Sequence, residues 1–372
     1  MMTMMTPRTE AELADMVAGA TGRLQIIGGG TRLATQAREA EVLTARGLSG
    51  ITLYEPGSLT LVAQAGTPVE EIEAALAAEG QRLPFEPMDH RGLLGTSGTP
   101  TIGGVVGGNV SGPRRIQVGA ARDFLLGVRF VDGTGRILKN GGRVMKNVTG
   151  YDLVKLMAGS RGRLGVLSEV SFKVLPMPEV AVTLILPGLD DAAAVQAMAR
   201  ALGSPYEVTG AAHWPGRGTY LRIEGFAGSV AYRAGKLREM LGGEVEDSVE
   251  RWAAIRDVSP FQQVDGDIWR LSVKPSDAPG LVARAGADGA LYDWGGGLVW
   301  LRMAPGTDLR ARLGAFDGHA TLVRAGAETR ARLPMEQPEP PALAALSAGI
   351  RARFDPRGIF AAETDMSPLV AS

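Results

Sequence analysis

The sequence predicts an α+β protein that is divided into two units, followed by a short C-terminal extension. The chain has 372 residues, which is the length of about two ordinary domains. Strand, turn and helix signals alternate in the first half of the chain, and a β-α-β-β-α order follows residue 180, as in a split βαβ layer. Pro176 and Pro178 separate the two patterns, so we expect the domain boundary there.

The composition excludes several classes of protein. Apolar residues make up 45% of the chain and charged residues 21%, which is ordinary for a globular protein and excludes a disordered one. The formal net charge of −1 does not favour a nucleic-acid partner. The chain has no cysteine, which excludes a thiol nucleophile, disulfides and Cys-ligated zinc or iron–sulfur clusters. Because the histidines at 90, 213 and 319 lie far apart, no metal site is predicted.

We expect a cytoplasmic protein. Residues 1–20 contain Glu10, Glu12 and Asp15 but no basic segment followed by an apolar one, so no signal peptide is predicted. No apolar run approaches the ~18 residues of a membrane helix. Any contact with a membrane would therefore be made through partner proteins.

Local signals place the elements of the first half. Thr9 and Glu12 indicate a capping box that opens a helix. Thr67 is predicted to be the N-cap of a second helix, with Pro68 at its first position and Glu70 completing another capping box. Strands are expected at 24–27, 50–54, 59–65, 124–131, 136–139 and 170–174, and a short helix is expected at 151–158.

The second half repeats strand and helix signals before a proline-rich linker. Strands are expected at 180–186, 207–212 and 219–225, helices at 190–202 and 229–241, and further strands within 268–333. Residues 334–341 are the predicted linker. The final helix carries Leu343, Leu346 and Ile350 on one stripe and stops at Asp355-Pro356.

Two glycine-rich segments are candidate ligand loops. Gly28-Gly29-Gly30-Thr31 follows a strand, and such a turn exposes N–H groups that can bind phosphate, although a plain tight turn explains it equally well. Residues 92–119 contain nine glycines among 28 residues, with Arg114 and Arg115 as the only charges. This composition predicts an irregular segment. The two segments could enclose a bulky ligand with an internal diphosphate; the alternative is a loop-rich edge with solvated arginines.

The order of the motifs resembles the FAD-binding domain of the vanillyl-alcohol oxidase / p-cresol methylhydroxylase superfamily. The resemblance is carried by GGGT at 28–31, TIGG at 101–104, GGNVSGPRR at 107–115, GYDLVKL at 150–156, GSRGRLGVLSEV at 159–170 and FDPRGIF at 354–360. Within the superfamily, the chain resembles the small FAD-binding subunits of bacterial glycolate oxidase, also called glycolate dehydrogenase. The resemblance implies a two-lobed p-cresol methylhydroxylase-type FAD-binding domain over residues 1–178. It further implies a smaller α+β cap domain with a split βαβ antiparallel sheet over 179–335, and a linker and helix over 336–372 that return to the FAD domain.

The resemblance also implies which residues bind FAD. The first diphosphate loop would be Gly28, Gly29, Gly30 and Thr31. The diphosphate, ribityl chain and flavin would be wrapped from the other side by Thr101, Ile102, Gly103, Gly104, Asn109 and Ser111. That wall would be supported by Gly119, Arg122 and Asp123, and the adenosine half would lie along Gly159, Gly165 and Val166. Members with covalent flavin often carry a histidine beside the first loop; this chain has none there, so FAD is expected to be bound non-covalently.

Oxidation of a 2-hydroxy acid requires a cation for the carboxylate, a base for the hydroxyl proton and a hydride acceptor. His213, beside Trp214, is the candidate catalytic base, with a buried structural role as the alternative. His319 lies in an Asp-Gly-His-Ala sequence that indicates a turn. The candidate carboxylate anchors are Arg217, Arg222, Arg270, Arg302 and Arg324.

The resemblance implies a subunit of a complex. The larger flavin subunits of the family carry a C-terminal Glu-His-Gly segment that this chain lacks. We therefore expect a large FAD-binding subunit and an iron–sulfur subunit as partners, glycolate as the substrate that is oxidised to glyoxylate, and electron transfer to a partner. Two alternatives stay open: an autonomous FAD-dependent 2-hydroxy-acid dehydrogenase, and a non-catalytic scaffold subunit that keeps the flavin fold.

Overall fold

The computed structural model describes residues 4–32, 35–37, 40–143, 150–247, 249–361 and 366–368. The first half of the chain contains the following strands: β1 (Met4–Met5), β2 (Arg23–Ile27), β3 (Thr35–Ala37), β4 (Ala40–Thr44), β5 (Ile51–Glu55), β6 (Thr60–Gln64), β7 (Gln81–Arg82), β8 (Leu125–Val131), β9 (Ile137–Gly141), β10 (Val166–Lys173) and β11 (Leu175–Pro176). Its helices are α1 (Glu10–Gly19), α2 (Val69–Ala78), α3 (Arg91–Leu94), α4 (Ile102–Gly107), α5 (Arg115–Val118), α6 (Ala121–Phe124) and α7 (Leu153–Met157).

These strands form two lobes. A 3-stranded parallel sheet has the order β1-β4-β2 and packs against α1. A 5-stranded antiparallel sheet has the order β5-β6-β10-β8-β9. Phe85, Phe130 and Phe172 are fully buried in the core beside this second sheet. The predicted α+β fold class with a two-lobed first part is confirmed.

The second half forms one large sheet with its own core. Its elements are β12 (Val180–Leu186), α8 (Asp191–Leu202), β13 (Val208–Trp214), β14 (Gly218–Gly225), α9 (Ala227–Leu241), β15 (Glu244–Glu246), α10 (Val249–Arg256), β16 (Asp267–Val273), α11 (Ala278–Ala285), β17 (Gly289–Asp293), β18 (Leu298–Met303), α12 (Leu309–Leu313), β19 (Gly318–Arg324), α13 (Ala327–Arg332), α14 (Pro341–Phe354) and β20 (Met366–Pro368). Eight of the strands pair in the order β15-β12-β14-β13-β17-β18-β16-β19, and each neighbouring pair is antiparallel.

The large sheet consists of two split βαβ units joined edge to edge. β12, β13, β14 and β15 form the first unit; the strand and helix signals predicted its first three strands but not β15. β16, β17, β18 and β19 repeat the same spatial order, with the third strand beside the first. The two units meet where His213 on β13 pairs with Tyr292 on β17. The second unit was predicted only as further strands, so the duplication is a finding of the structure.

Threonine caps illustrate where local signals hold and where they fail. Thr9 caps α1 as predicted, because its hydroxyl accepts a hydrogen bond from the Glu12 N–H at 3.1 Å. The predicted cap of α2 is wrong. Thr67 Oγ1 accepts from the Gly50 N–H at 2.9 Å and lies 2.7 Å from the Gln64 carbonyl oxygen, so the hydroxyl ties two strand ends together. Helix α2 begins one residue later, without a side-chain cap.

Helix α4 lies in the segment that was predicted to be irregular. Thr101 caps it, and its glycines satisfy a packing requirement that composition alone does not reveal. A Cβ atom on Gly103 would lie 2.7 Å from the Cβ of Ala65, so glycine lets α4 approach the end of β6 closely. Tertiary packing therefore overrides the low helix propensity of glycine here.

Buried ion pairs join the first half of the chain to the large sheet. Glu224 on β14 accepts a hydrogen bond from Arg82 at 2.7 Å and another from Arg114. Arg222, two residues earlier on the same strand, donates to Glu86 at 2.9 Å. Because these carboxylates and guanidiniums come from both halves of the chain, they hold the sheet at a fixed position beside the first half.

Residues 355–361 return to the N-terminal lobe. The Leu24 N–H donates to the Ile359 carbonyl at 2.7 Å, and the Ala361 N–H donates to the Leu24 carbonyl at 2.9 Å. The stripe predicted on α14 does not pack on the protein, since Leu343, Leu346 and Ile350 are 49%, 67% and 40% exposed. The domain limits at 178 and 335 stay predictions. In the described part of the chain, no helix has the length and apolar character needed to cross a membrane.

Candidate functional site

A cavity of about 560 Å³ lies between the two glycine segments and one face of the large sheet. This volume is in the range of sites for small molecules and cofactors. Twelve predicted FAD-binding residues line it: Gly28, Gly29, Gly30, Thr31, Thr101, Gly103, Gly104, Asn109, Ser111, Gly159, Gly165 and Val166. The structure thus brings segments that are far apart in sequence to one site.

The first glycine loop touches the second so closely that no side chain fits between them. A Cβ atom on Gly29 would lie 1.6 Å from the carbonyl oxygen of Thr99, and one on Gly28 would lie 2.4 Å from Thr101 Oγ1. Within the described ranges, no residue accepts a hydrogen bond from the N–H groups of Gly29, Gly30 or Thr31. These donors are therefore available to an anionic ligand, as in other backbone cradles for phosphate.

Side-chain hydrogen bonds shape the second loop. Asn109 has a left-handed backbone (φ +47°), and its Oδ1 accepts from the Arg122 N–H at 3.0 Å. Ser111 Oγ accepts from the Ala121 N–H at 3.0 Å and donates to the Asn109 carbonyl at 3.2 Å. The Gly159 N–H donates to the Val106 carbonyl at 3.0 Å, which brings the third predicted segment against α4.

Four predicted residues do not line the cavity. The Ile102 side chain is fully buried in the core. Gly119, Arg122 and Asp123 lie behind the second loop, where the Asp123 carboxylate accepts from the Ala120 N–H at 2.8 Å. Their position agrees with the supporting role that the resemblance implies, and direct contact with FAD stays a prediction for every residue in the set.

Arg32 is a cavity residue that sequence reasoning missed. Its guanidinium donates to the Gly104 carbonyl at 2.6 Å. A Cβ atom on Gly108 would lie 1.7 Å from the Arg32 guanidinium, so this side chain crosses from the first loop to the second. An arginine directly after GGGT was the available signal, because guanidinium groups pair well with phosphate.

One face of the large sheet forms the opposite wall. Strand alternation places Arg270 and Ser272 of β16 on this face, whereas Trp269 and Leu271 are fully buried in the core behind it. Cross-strand pairing sets Arg270 opposite Thr321 and Trp300, and Ser272 opposite His319 and Leu298. All six of these residues line the cavity. Strands β16, β18 and β19 therefore present one surface with several polar groups to the glycine loops.

Charged groups in the cavity are shifted by burial. Burial and the nearby charges of Arg115 and Arg161 lower the pKa of Arg270 to about 10. Burial raises the pKa of Asp293 to about 7, and its Oδ1 accepts from the Trp294 N–H at 2.7 Å. Arg270 and Asp293 therefore lie in surroundings less polar than water, where electrostatic interactions are stronger.

The predicted base, His213, is not at the cavity. It is 1% exposed, its Nδ1 lies 2.9 Å from Thr219 Oγ1, and its Nε2 lies 3.3 Å from the Asp191 carboxylate. These contacts favour the structural alternative. His319, interpreted as a turn residue, instead lies on β19 and lines the cavity. Partial burial, together with the charge of Arg270, lowers its pKa, which favours the neutral imidazole.

The five candidate carboxylate anchors are now distinguishable, because only Arg270 among them lines the cavity. Arg222 pairs with Glu86. Arg302 and Arg324 donate to backbone carbonyls. The Arg217 guanidinium lies 5.9 Å from the centre of the Trp214 ring. Among the residues that the structure describes, no cluster of three His, Asp or Glu side chains is placed to hold a metal ion.

The sequence is similar to known FAD-binding proteins. A family model described as an FAD binding domain matches residues 3–141. The chain is 40% identical over 288 residues to glycolate oxidase subunit GlcE of Escherichia coli strain K12, covering 77% of each protein. It is 32% identical to glycolate oxidase subunit GlcD of Bacillus subtilis strain 168, over 39% of this chain and 29% of that protein.

The fold is shared more widely than the sequence. The structure matches alkyldihydroxyacetonephosphate synthase with a TM-score of 0.70 at 15% identity, covering 96% of this chain and 76% of that one. At this identity the match shows the fold alone.

D-lactate dehydrogenase of Anaerostipes hadrus is 31% identical over 36% of this chain and 26% of that protein.

Proposed function

Because the chain belongs to the family of glycolate oxidase subunit GlcE, we propose that it is the FAD-binding subunit of a glycolate oxidase complex. In this complex glycolate is oxidised to glyoxylate, and the electrons pass to a partner subunit. The observation that carries the proposal is the cavity between two glycine loops and a polar sheet face. The match of residues 3–141 to an FAD binding domain supports the choice of cofactor.

The residues around the cavity fit FAD. The N–H groups of Gly29, Gly30 and Thr31 and the guanidinium of Arg32 would hold the diphosphate, since both kinds of donor suit phosphate oxygens. The first loop contains no histidine, so we expect the flavin to be released intact when the protein is denatured. Bound FAD would supply the hydride acceptor for oxidation of a CH–OH group.

We propose His319 as the group that accepts the hydroxyl proton. It is the histidine on the sheet face that carries Arg270 and Ser272, and a neutral imidazole can act as a base. Trp294 and Trp300 lie beside Arg270 in the same cavity.

Replacing His319 with glutamine should lower glycolate turnover by the assembled complex about 100-fold or more, the usual contribution of a general base. Flavin content should stay unchanged, because the imidazole is not needed for the diphosphate contacts. His213→Gln is the matched control, since that histidine lies outside the cavity, and it should keep its turnover. Normal turnover by the His319 variant would remove this residue from the mechanism.

The partners follow from the family. GlcE and GlcD are both named as subunits of glycolate oxidase, so we place this chain beside a large FAD-binding subunit. An iron–sulfur subunit is the proposed electron acceptor, as the resemblance to bacterial glycolate oxidase implies; this chain has no cysteine with which to ligate such a cluster itself. We place the complex in the cytoplasm, with contact to the inner membrane made through these partners.

Purification of the chain alone tests the proposal. We expect a yellow protein that restores glycolate oxidation to a complex prepared without it, and whose own glycolate turnover with a dye acceptor is far below that of the restored complex. Turnover by the lone chain at the rate of the complex would favour an autonomous 2-hydroxy-acid dehydrogenase instead. A colourless protein that does not take up added FAD would favour a non-catalytic scaffold.

A further inference from the structure

Two arginine side chains, Arg115 and Arg270, lie beside the ring of Trp294 at the sheet side of the cavity. The guanidinium carbon of Arg115 lies 4.7 Å from the centre of the Trp294 ring, and that of Arg270 lies 5.3 Å from it. Both arginines are partly buried. Among the described residues, neither guanidinium makes a direct hydrogen bond or ion-pair contact; Asp293 acts on Arg270, and Asp123 on Arg115, only as counter-charges without contact.

This arrangement is unusual within the molecule. Arg114 pairs with Glu224, Arg222 pairs with Glu86 at 2.9 Å, and Arg256 pairs with Asp257 at 2.7 Å. A charged group that is withdrawn from water without a partner is costly, so such groups are normally paired. The contrast indicates that Arg115 and Arg270 meet a partner that is not part of the described chain.

The partner must be an anion. Within the described residues, the cavity lining contains one acidic side chain, Asp293, whose carboxylate already accepts from the Trp294 N–H. The cationic side chains of the lining are Arg32, Arg115, Arg161, Arg256 and Arg270. A cleft with this balance of charge concentrates anions.

We propose that this chain binds the carboxylate of a small 2-hydroxy acid itself, with Arg270 as the direct ligand and Arg115 as the second charge that retains it. Arg270 is favoured for direct contact because Ser272 lies two residues along the same face and His319 lies opposite Ser272. The hydroxyl carbon of the acid would then lie between the carboxylate anchor and the imidazole. The inference rests on the proposed function and assigns a substrate site to this subunit.

The size of the site limits the chain length of the acid that can bind. Trp294 and Trp300 flank Arg270, and Leu298 lies opposite Ser272 on the same face. Trp294 is fixed because its Nε1 donates to the Gly112 carbonyl at 3.0 Å. We therefore expect a short acid with two or three carbons to place its carboxylate there without displacing an indole. A longer side chain would have to extend toward the glycine loops.

Oxalate is the probe for this site, because it resembles glycolate in size, carries the same carboxylate group and has no C–H bond to oxidise. The FAD-loaded chain is titrated with oxalate, and both the flavin absorbance and the tryptophan fluorescence are followed. We expect saturable changes in the wild type. Arg270→Gln should weaken oxalate binding at least tenfold, and Arg270→Lys should weaken it less, since lysine keeps the charge but not the planar fork.

Flavin content, measured before each titration, separates this inference from the proposed function. Arg217→Gln is the matched control, because Arg217 lies outside the cavity, and it should bind oxalate as the wild type does. Unchanged oxalate affinity in both Arg270 variants, or a wild type that gives no response, would overturn the carboxylate site while leaving FAD binding in place. Loss of flavin in both Arg270 variants would assign Arg270 to the cofactor and would equally overturn the proposal.

Discussion

Replacing Gly104 with aspartate should abolish FAD binding without unfolding the protein. Gly104 lies in α4 and lines the cavity. A Cβ atom there would meet only Thr101 Oγ1, at 3.2 Å, so a side chain fits after a small adjustment. The aspartate would, however, place a negative charge near the diphosphate. At a separation of about 5 Å and an effective dielectric constant of about 20, two like charges repel by roughly 3 kcal/mol, which corresponds to an affinity loss of at least about 100-fold.

Gly104→Ala is the matched control, because it adds the Cβ atom without the charge. We expect this variant to keep most of its flavin. The measurement is the flavin absorbance per mole of purified protein, followed by titration of the apoprotein with FAD. Full flavin occupancy in the aspartate variant would mean that the diphosphate lies elsewhere.

Replacing Glu224 with glutamine should strongly destabilise the folded protein. The carboxylate faces Arg82 at 2.7 Å, Arg114, and Arg222 at 3.5 Å. Its loss would leave buried guanidiniums without their shared counter-charge. Breaking a buried ion pair on one side typically costs about 3–5 kcal/mol of unfolding free energy. We expect the free energy of unfolding, measured by urea denaturation, to decrease by this amount.

The pH dependence gives a second measurement. Burial alone would raise the pKa of Glu224, but Arg222, Arg114 and Arg82 together hold it at about 2, below the ordinary value of 4.5. The stability that this carboxylate contributes is fully present above pH 4.5 and is lost as the pH falls toward 2. The wild type should therefore lose more stability than Glu224→Gln over this interval.

Glu246→Gln is the control for Glu224. Glu246 also pairs with an arginine, Arg251 at 3.2 Å, but its side chain is 49% exposed. Exposed pairs contribute about 0–1 kcal/mol, so little change is expected. If the two variants unfold at the same urea concentration, the buried network does not hold the halves together.

The fold was predictable where the signals are local. The cap at Thr9 and the strand at 180–186 depend on neighbouring residues, and both were found as expected. The helix cap predicted at Thr67 was wrong because the Thr67 hydroxyl accepts a hydrogen bond from the N–H of Gly50, which is not adjacent in the sequence. Helix α4 was not predicted, because the close approach of Gly103 to Ala65 is a tertiary contact that glycine content does not reveal.

The candidate site was also predictable only in part. The glycine loops were evident from composition and order, because a backbone cradle requires small residues at fixed places. Arg270 was one of five candidate anchors that the sequence could not rank, and His319 was interpreted as a turn residue. A polar residue that alternates with apolar ones along a strand is normally expected to face solvent, and only the assembled sheet shows that this face is covered by the loops.

The contact between the C-terminal segment and the N-terminal lobe has a consequence for synthesis in the cell. Arg357 donates to the Val17 carbonyl, 340 positions away in the chain, and the outer edge of β2 is covered by residues near Phe360. A ribosome must therefore have released residues up to 361 before β2 gains this neighbour. Until then the nascent lobe exposes an unpaired strand edge, which is the kind of surface that invites aggregation and that chaperones protect.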